Sequence, residues 1–135
     1  MPAGYRWQCC QPEEHFNLLF RDHFVLFKPR DIVSGDFYWL GEDEKNIFFT
    51  VADCTGHGVP GAFMSTLAIS TLIEIITNGE ELHANSVLNL LREKIKNSLH
   101  QTGKVGEAAD GMDVAFCILN KSWNRLEYSG AFNPC

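Results

Sequence analysis

Residues 47–61 read IFFTVADCTGHGVPG, an apolar run that ends at Asp53 and gives way to small and polar residues. The run IFFTVA (47–52) is apolar on both faces, which predicts a strand in a sheet covered on both sides. Three glycines follow in the turn, at positions 56, 58 and 61. Glycine allows backbone conformations that other residues avoid, and Pro60 is well placed to open a helix. The stretch therefore predicts a strand, a tight turn that holds the Asp53 carboxylate, and a helix.

A predicted strand near 36–40 precedes this run, and the polar sequence GEDEKN (41–46) between them indicates a hairpin. With the turn centred between residues 44 and 45, Asp36 lies opposite Asp53 at the open end of the hairpin. Opposed residues have Cβ atoms about 4.5–5.5 Å apart, a distance at which two ionised carboxylates repel each other. A divalent cation that prefers hard oxygen ligands, Mg²⁺ or Mn²⁺, would attract both carboxylates and so replace the repulsion with a net attraction. The alternative is that both aspartates serve turns and caps, as aspartates beside glycine commonly do.

Two helices are predicted after the turn. The first spans 60–78 and stops at Gly79, with apolar residues at 62, 63, 67, 69, 72, 73 and 76. The second spans about 86–101, is capped by Asn85 or Ser86, and has apolar residues at 87, 88, 91, 95 and 99. We expect both to pack side by side on one face of the sheet through these positions.

The remaining elements are strands. One is predicted near 23–28, and a second hairpin is formed by MDVAFCIL (112–119) and RLEYSGAF (125–132), after a loop over 103–111. Hairpins in place of alternating strand–helix–strand units favour an α+β fold, an antiparallel sheet with packed helices.

Composition excludes several classes of function. The net charge of −6 and the absence of clustered lysine and arginine argue against nucleic-acid binding. The longest mostly apolar segment, AFMSTLAISTLIEII, contains Ser, Thr and Glu and is expected to be too short to span a bilayer. Five cysteines without CxxC spacing predict neither a disulfide framework nor a zinc site, so a reducing cytoplasm is expected.

Four segments together resemble a known family. PRDIVSGDFYW, VADCTGHGVPGAFMS, DGMDVAFCIL and LEYSGAFNP, in this order and spacing, are similar to the bacterial SpoIIE-type branch of the metal-dependent protein serine/threonine phosphatases (PPM, or type 2C). The resemblance covers residue 22 to the last residue, which leaves residues 1–21 as an N-terminal extension or linker. It implies an αββα sandwich of two antiparallel sheets with helices outside. It also implies that Asp36, Asp53 and the backbone carbonyl of Cys54 bind a pair of Mn²⁺ or Mg²⁺ ions.

The resemblance further implies a phosphatase that uses metal-activated water in bacterial signalling. Its substrates would be phosphoserine or phosphothreonine regulators of the anti-sigma-factor antagonist type, and a sensor domain often precedes such phosphatases. Family members continue past the NP motif to two more acidic motifs, near TDG and DD, and neither follows Asp113 in this chain. We therefore expect residues 22–135 to be the N-terminal portion of the domain, with the C-terminal part missing and activity in doubt. Open sheet edges would favour a homodimer.

Two alternatives stay open: a non-catalytic phosphatase-fold module that binds a phosphoprotein, and an unrelated α+β domain whose aspartates are turn residues. Two further residues are candidates for the site. His57 stands four residues after Asp53, whereas the eukaryotic pattern DGHGG has its histidine two residues after the aspartate, which favours a loop histidine over a general acid. Asp113 opens a predicted strand and is a candidate to face the metal pair, while Asp110 with its following glycine indicates first of all a turn.

Overall fold

The computed structural model describes residues 6–9, 14–101 and 110–132. The strands are β1 Arg6–Cys9, β2 Phe37–Glu42, β3 Asn46–Cys54, β4 Met112–Asn120 and β5 Arg125–Ala131. The helices are α1 Glu14–Leu19, α2 Gly58–Asn78 and α3 Ala84–Ser98. The strands form one antiparallel sheet in the order β1-β2-β3-β4-β5. The expected α+β class with an antiparallel sheet and two packed helices is confirmed, and the described residues form one sheet of the expected sandwich.

The β2–β3 hairpin has the register predicted from the sequence. Phe37 is paired with Ala52 and Trp39 with Thr50. Asp43 fixes the turn, since its Oδ1 accepts hydrogen bonds from the backbone N–H groups of Lys45 at 2.7 Å and Asn46 at 2.6 Å. Short side chains of this kind stabilise turns by replacing a backbone partner. The turn therefore sets which residues face each other at the other end of the hairpin.

One face of the sheet packs against α2 and α3 to form the hydrophobic core. The largest fully buried side chains include Trp39, Phe37, Phe48 and Phe116 from the strands. Thr50 is the polar member of this layer, and its hydroxyl donates to the carbonyl of Ala115 at 2.7 Å. Because strand side chains alternate between faces, the opposite face carries Asp53 and its neighbours.

The predicted faces of the two helices are largely confirmed. In α3, Val87, Leu88, Leu91 and Ile95 are buried. In α2 the predicted positions at 69, 72 and 76 are buried, whereas Phe63 is 66% exposed and the prediction for it is wrong. The cause is the composition of α2, which is apolar around most of its circumference, so that periodicity distinguishes its faces poorly.

The start of α3 differs from the predicted cap. The helix begins at Ala84, and neither Asn85 nor Ser86 caps it. Instead Glu127 of β5 accepts a hydrogen bond from the Ala84 amide at 3.3 Å and contacts the His83 ring. Burial raises the pKa of Glu127, but the Ala84 amide, His83 and Arg125 outweigh that effect and lower its pKa below the usual value. A carboxylate from the sheet thus replaces the local cap.

The strand predicted near 23–28 is wrong, since residues 23–30 have no regular secondary structure. The free edge of β2 is occupied by β1, which pairs Cys9 with Trp39. Residues 23–28 lie instead over the sheet face away from α2, where the Phe27 ring contacts the Tyr38 ring at 5.4 Å. From α1 and the residue after it, Phe16 contacts Tyr38 at 5.8 Å, and Phe20 contacts Phe49 at 6.0 Å.

Helix α2 is longer than the apolar segment seen in the sequence. Its 21 residues make it long and apolar enough, by length and composition alone, to cross a membrane. Half of its most apolar stretch is buried inside the protein, against the sheet and α3. Core helices commonly have this character, so packing accounts for the apolar residues of α2.

Truncating one core residue of α3 should separate burial from helix propensity. Leu91 is 2% exposed and its neighbour Leu90 is 49% exposed. We expect Leu91→Ala to lower the free energy of unfolding by about 2–5 kcal/mol, because it leaves a cavity in the core. The matched change Leu90→Ala should cost less than about 1 kcal/mol. Urea unfolding of both variants measures the difference, and equal losses would contradict the packing described.

Candidate metal site

Asp36 and Asp53 meet at the open end of the β2–β3 hairpin. Asp36 directly precedes β2, and Asp53 follows Ala52, the partner of Phe37, so the two aspartates are opposed. A hydrogen bond that the protonated Asp53 carboxyl donates to Asp36, slight burial and the Asp36 charge all raise the pKa of Asp53 above its usual value. The sequence prediction that these carboxyl groups lie together is therefore confirmed. The two carboxylates repel each other when both are ionised, and a divalent cation between their oxygens would reduce that repulsion.

The turn after Asp53 brings backbone carbonyls close to the residue before Asp36. Gly56 has φ 92°, in the left-handed region that favours glycine. A Cβ on Gly35 would lie 2.8 Å from the carbonyl oxygens of both Cys54 and Gly56, and one on Gly61 would lie 2.6 Å from the Gly56 oxygen. Two of these glycines are thus needed for close backbone approach. The Cys54 carbonyl oxygen lies close to Gly35, the residue before Asp36, and its role as a metal ligand stays a prediction.

Hydroxyl groups hold the segment that carries Asp36. The backbone N–H of Asp36 donates to Ser34 Oγ at 3.0 Å. The hydroxyl of Ser65, on α2, donates to the Ser34 carbonyl at 3.0 Å. This pair of bonds ties the Asp36 backbone to the helix that follows Asp53.

Thr55 braces the other side of the turn. Its backbone N–H donates to the Gly111 carbonyl at 2.9 Å, and the Gly111 N–H donates to Thr55 Oγ1 at 3.0 Å. The residue after Cys54 is therefore fixed to the residue before β4. The sequence analysis missed Thr55 and Ser65, because their hydrogen-bond partners are distant in the chain and no local sequence pattern indicates these contacts.

Asp113 lies next to the aspartate pair. It is the ladder partner of Asp53 in the β3–β4 pairing, and its side chain is exposed. Directly paired residues project from the same face of a sheet. Within residues 14–101 and 110–132, no group of three or more His, Cys, Asp or Glu side chains is placed to hold one ion. Asp110 lies outside the helices and strands, and its carbonyl accepts a hydrogen bond from the Gln101 side chain at 3.0 Å.

Cys54 and His57 occupy different environments. The Cys54 side chain is 2% exposed and faces the core, and burial together with the charges of Asp53 and Asp36 raises its pKa to about 12. The thiol is therefore neutral and packed, and any ligand role of this residue belongs to its carbonyl. His57 precedes α2 and is 68% exposed, with Nδ1 3.3 Å from Oδ2 of Asp31.

A cleft of about 610 Å³ opens beside the aspartates on the sheet face away from α2. Asp36 and Asp53 line it together with Lys28, Tyr38 and Val51. A positive charge and two carboxylates thus share one accessible surface. The carboxylates suit a metal ion and the lysine suits an anion, so the arrangement fits a phosphate bound together with a metal ion.

Adding one methyl group to the turn should reveal how tightly it is packed. Helix propensity alone favours alanine over glycine in α2 by about 1 kcal/mol. We expect Gly61→Ala nevertheless to destabilise the protein by about 1–3 kcal/mol, because its Cβ would overlap the Gly56 carbonyl. Gly111→Ala is the matched control, since a Cβ there meets no atom within 4 Å. Chemical denaturation of both variants measures this, and a stabilised Gly61→Ala protein would refute the close approach.

Removing one of the two charges should stabilise the metal-free protein. The folded-state pKa of Asp53 is raised, so ionising it costs stability above that pKa, and the cost disappears as the pH falls to the unfolded value of about 3.9. We expect Asp53→Asn to raise the free energy of unfolding at pH 7 by up to about 1 kcal/mol, since the pair is solvent-exposed. The gain should vanish below about pH 4. Asp22→Asn, which removes an exposed carboxylate elsewhere, should show no such pH dependence in urea titrations.

Comparison with known proteins agrees with the fold and the motif resemblance. A family model described as "Stage II sporulation protein E (SpoIIE)" matches residues 43–135, which include Asp53 and Cys54 and follow Asp36. The solved structure titled "SiaA-PP2C domain of Pseudomonas aeruginosa" matches with a TM-score of 0.67 and 33% sequence identity. That match covers 80% of this chain and 42% of the solved chain, so the protein described here spans less than half of that relative. No curated protein sequence matches significantly. The chain belongs to the SpoIIE family of PPM-type phosphatase domains.

Proposed function

We propose that this chain supplies part of the active site of a Mn²⁺- or Mg²⁺-dependent protein serine/threonine phosphatase. The observation that carries the proposal is the opposition of Asp36 and Asp53 at the open end of the hairpin, where both line one cleft. The pair is unfavourable when both carboxylates are ionised, and family membership gives a reason for its presence. The chemistry of the donor set fits a hard divalent ion.

Asp36, Asp53 and the Cys54 carbonyl would hold the ions. Divalent ions bound there would neutralise phosphate charge and make water a nucleophile at neutral pH. The chain's own contribution is position. The hairpin register holds the carboxylates together, and the close approach of Gly35, Gly56 and Gly61 positions the backbone carbonyls of the turn. Ser65 holds the segment before Asp36, and Thr55 holds the turn after Cys54.

The cleft offers a place for the phosphorylated residue. Lys28 lines it with the two aspartates and would attract the phosphate, while Tyr38 and Val51 form an apolar wall for the rest of the side chain. This composition agrees with a phosphoserine or phosphothreonine residue on a protein. We extend the proposal to a regulator of the anti-sigma-factor antagonist type, acted on in the bacterial cytoplasm under control of an upstream sensor domain.

A non-catalytic role is the second candidate. In the described part of the chain, no three potential ligands converge on one ion, and two carboxylates offset only part of the cost of dehydrating it. Such a domain would bind a phosphoprotein through the same cleft without hydrolysing it. The two candidates share the site and differ in turnover.

Metal binding and turnover should be measured separately on the 135-residue protein. We expect weak Mn²⁺ binding by isothermal titration calorimetry, in the range of about 10⁻⁴–10⁻³ M that sites with few charged ligands show. Asp36→Asn and Asp53→Asn should each abolish it, whereas Asp22→Asn should leave it unchanged. Hydrolysis of a phosphoserine peptide or p-nitrophenyl phosphate should stay barely above background even in millimolar Mn²⁺, because the geometry is incomplete.

If the reading frame continues past residue 135, the same assays on that longer protein distinguish the candidates. Mn²⁺-dependent turnover that EDTA and Asp53→Asn abolish would support the phosphatase. Metal and phosphopeptide binding without turnover would support the binding module. Strong EDTA-sensitive turnover by the 135-residue protein would show that its own ligands suffice, with Asp113 the first candidate for the additional one.

A further inference from the structure

The segment that carries Asp36 has few packing contacts of its own. Residues 30–36 include no helix or strand. Ile32 is fully exposed and Val33 is 42% exposed, so apolar burial does not hold this part of the chain in place. Segments with little buried apolar area open readily. The position of Asp36 therefore depends on specific contacts with neighbouring elements.

One such contact joins Asp31 to His57. The ring Nδ1 of His57 lies 3.3 Å from Asp31 Oδ2, and both side chains are substantially exposed. Exposed ion pairs contribute little to overall stability, with a typical value of about 0–1 kcal/mol. The local consequence is that the contact connects the segment before Asp36 with the turn after Asp53.

The backbone around His57 directs its ring towards this contact. His57 precedes α2 with extended angles, φ −132° and ψ 170°, and makes no side-chain cap of the helix. Gly56 and Gly58 on either side have φ 92° and 60°, so the chain turns sharply on both sides of the histidine. The ring is therefore free to contact Asp31.

Asp31 also lies at the N-terminus of α2. Its Oδ2 is 3.8 Å from the position that a Cβ on Gly58 would occupy. The first turn of α2 contains no acidic residue, and a carboxylate near a helix N-terminus is favoured by the helix dipole. Asp31 thus supplies from another segment the negative charge that α2 lacks.

We propose that Asp31 and His57 form a latch that positions Asp36 against Asp53. The latch acts on the outer side of the segment, while the bond from Ser65 to the Ser34 carbonyl acts on the inner side. Both contacts position the backbone before Asp36, and Asp31 and His57 do not touch the substrate in this role. The latch itself stands on geometry, and its effect on metal affinity rests on the proposed function.

Hydrogen exchange on the metal-free protein tests the latch without any assumption about metal. The reporter is the Asp36 amide, which is bonded to Ser34 Oγ. We expect Asp31→Ala and His57→Ala each to raise exchange at residues 31–36 by up to about fivefold, with the double variant no faster than either single one. Val59→Ala, an exposed change in the first turn of α2, should leave these rates unchanged. Unchanged rates in both single variants, or additive effects, would overturn the latch.

Mn²⁺ titration of the same variants tests the consequence. We expect the dissociation constant to rise by up to about fivefold in each single variant, which is the fold-change that an exposed pair can supply, while urea unfolding changes little. His57→Asn, which keeps a donor near the Nδ1 position, should restore part of the affinity. Faster exchange with unchanged Mn²⁺ affinity would overturn the positioning role. Failure of the wild-type protein to bind Mn²⁺ would refute the proposed function, and the exchange rates would then decide the latch alone.

Discussion

The repulsion between the carboxyl groups of Asp36 and Asp53 is the constraint on which the structure around the turn depends. Two ionised carboxylates on opposed residues repel each other, and solvent exposure limits the effect to about 1 kcal/mol. The strands cannot move apart to relieve it, because the hairpin is fixed at one end by Asp43 and along its length by buried residues such as Trp39. The core thus holds the two carboxyl groups together, and a proton or a cation between them would offset the repulsion.

The glycines of the turn follow from the same constraint. A divalent cation bound by two carboxylates would need further oxygen ligands, and backbone carbonyls of the turn lie nearby. Those carbonyls lie close to the Asp36 segment only because Gly35 and Gly61 have no Cβ. The glycine-rich sequence after Asp53 is therefore explained by close approach of three stretches of backbone, with left-handed φ angles at Gly56 and Gly58.

The parts of the fold that could be predicted from the sequence are those with a strong local signal. The hairpin register followed from the length of one polar turn, and the buried face of α3 followed from its clear amphipathic spacing. Helix α2 gave a weaker signal, so Phe63 was placed on the wrong face. The error over residues 23–28 has a tertiary cause. Their aromatic composition suits a strand, but the neighbouring edge of β2 is paired with residues 6–9.

The aspartate pair could be predicted because a single short hairpin brings it together, whereas the contacts that brace it could not. Ser65 and Ser34 are 31 positions apart, and Thr55 and Gly111 are 56 apart. Each of these contacts depends on how α2 or β4 docks beside β3, which no local pattern encodes. The two carboxylates are therefore specified early in the sequence, but their fixed geometry exists only after the helices and the second hairpin have packed. Any activity at this site is consequently coupled to the folding of segments on both sides of it, and substitutions remote in sequence can alter it without touching an aspartate.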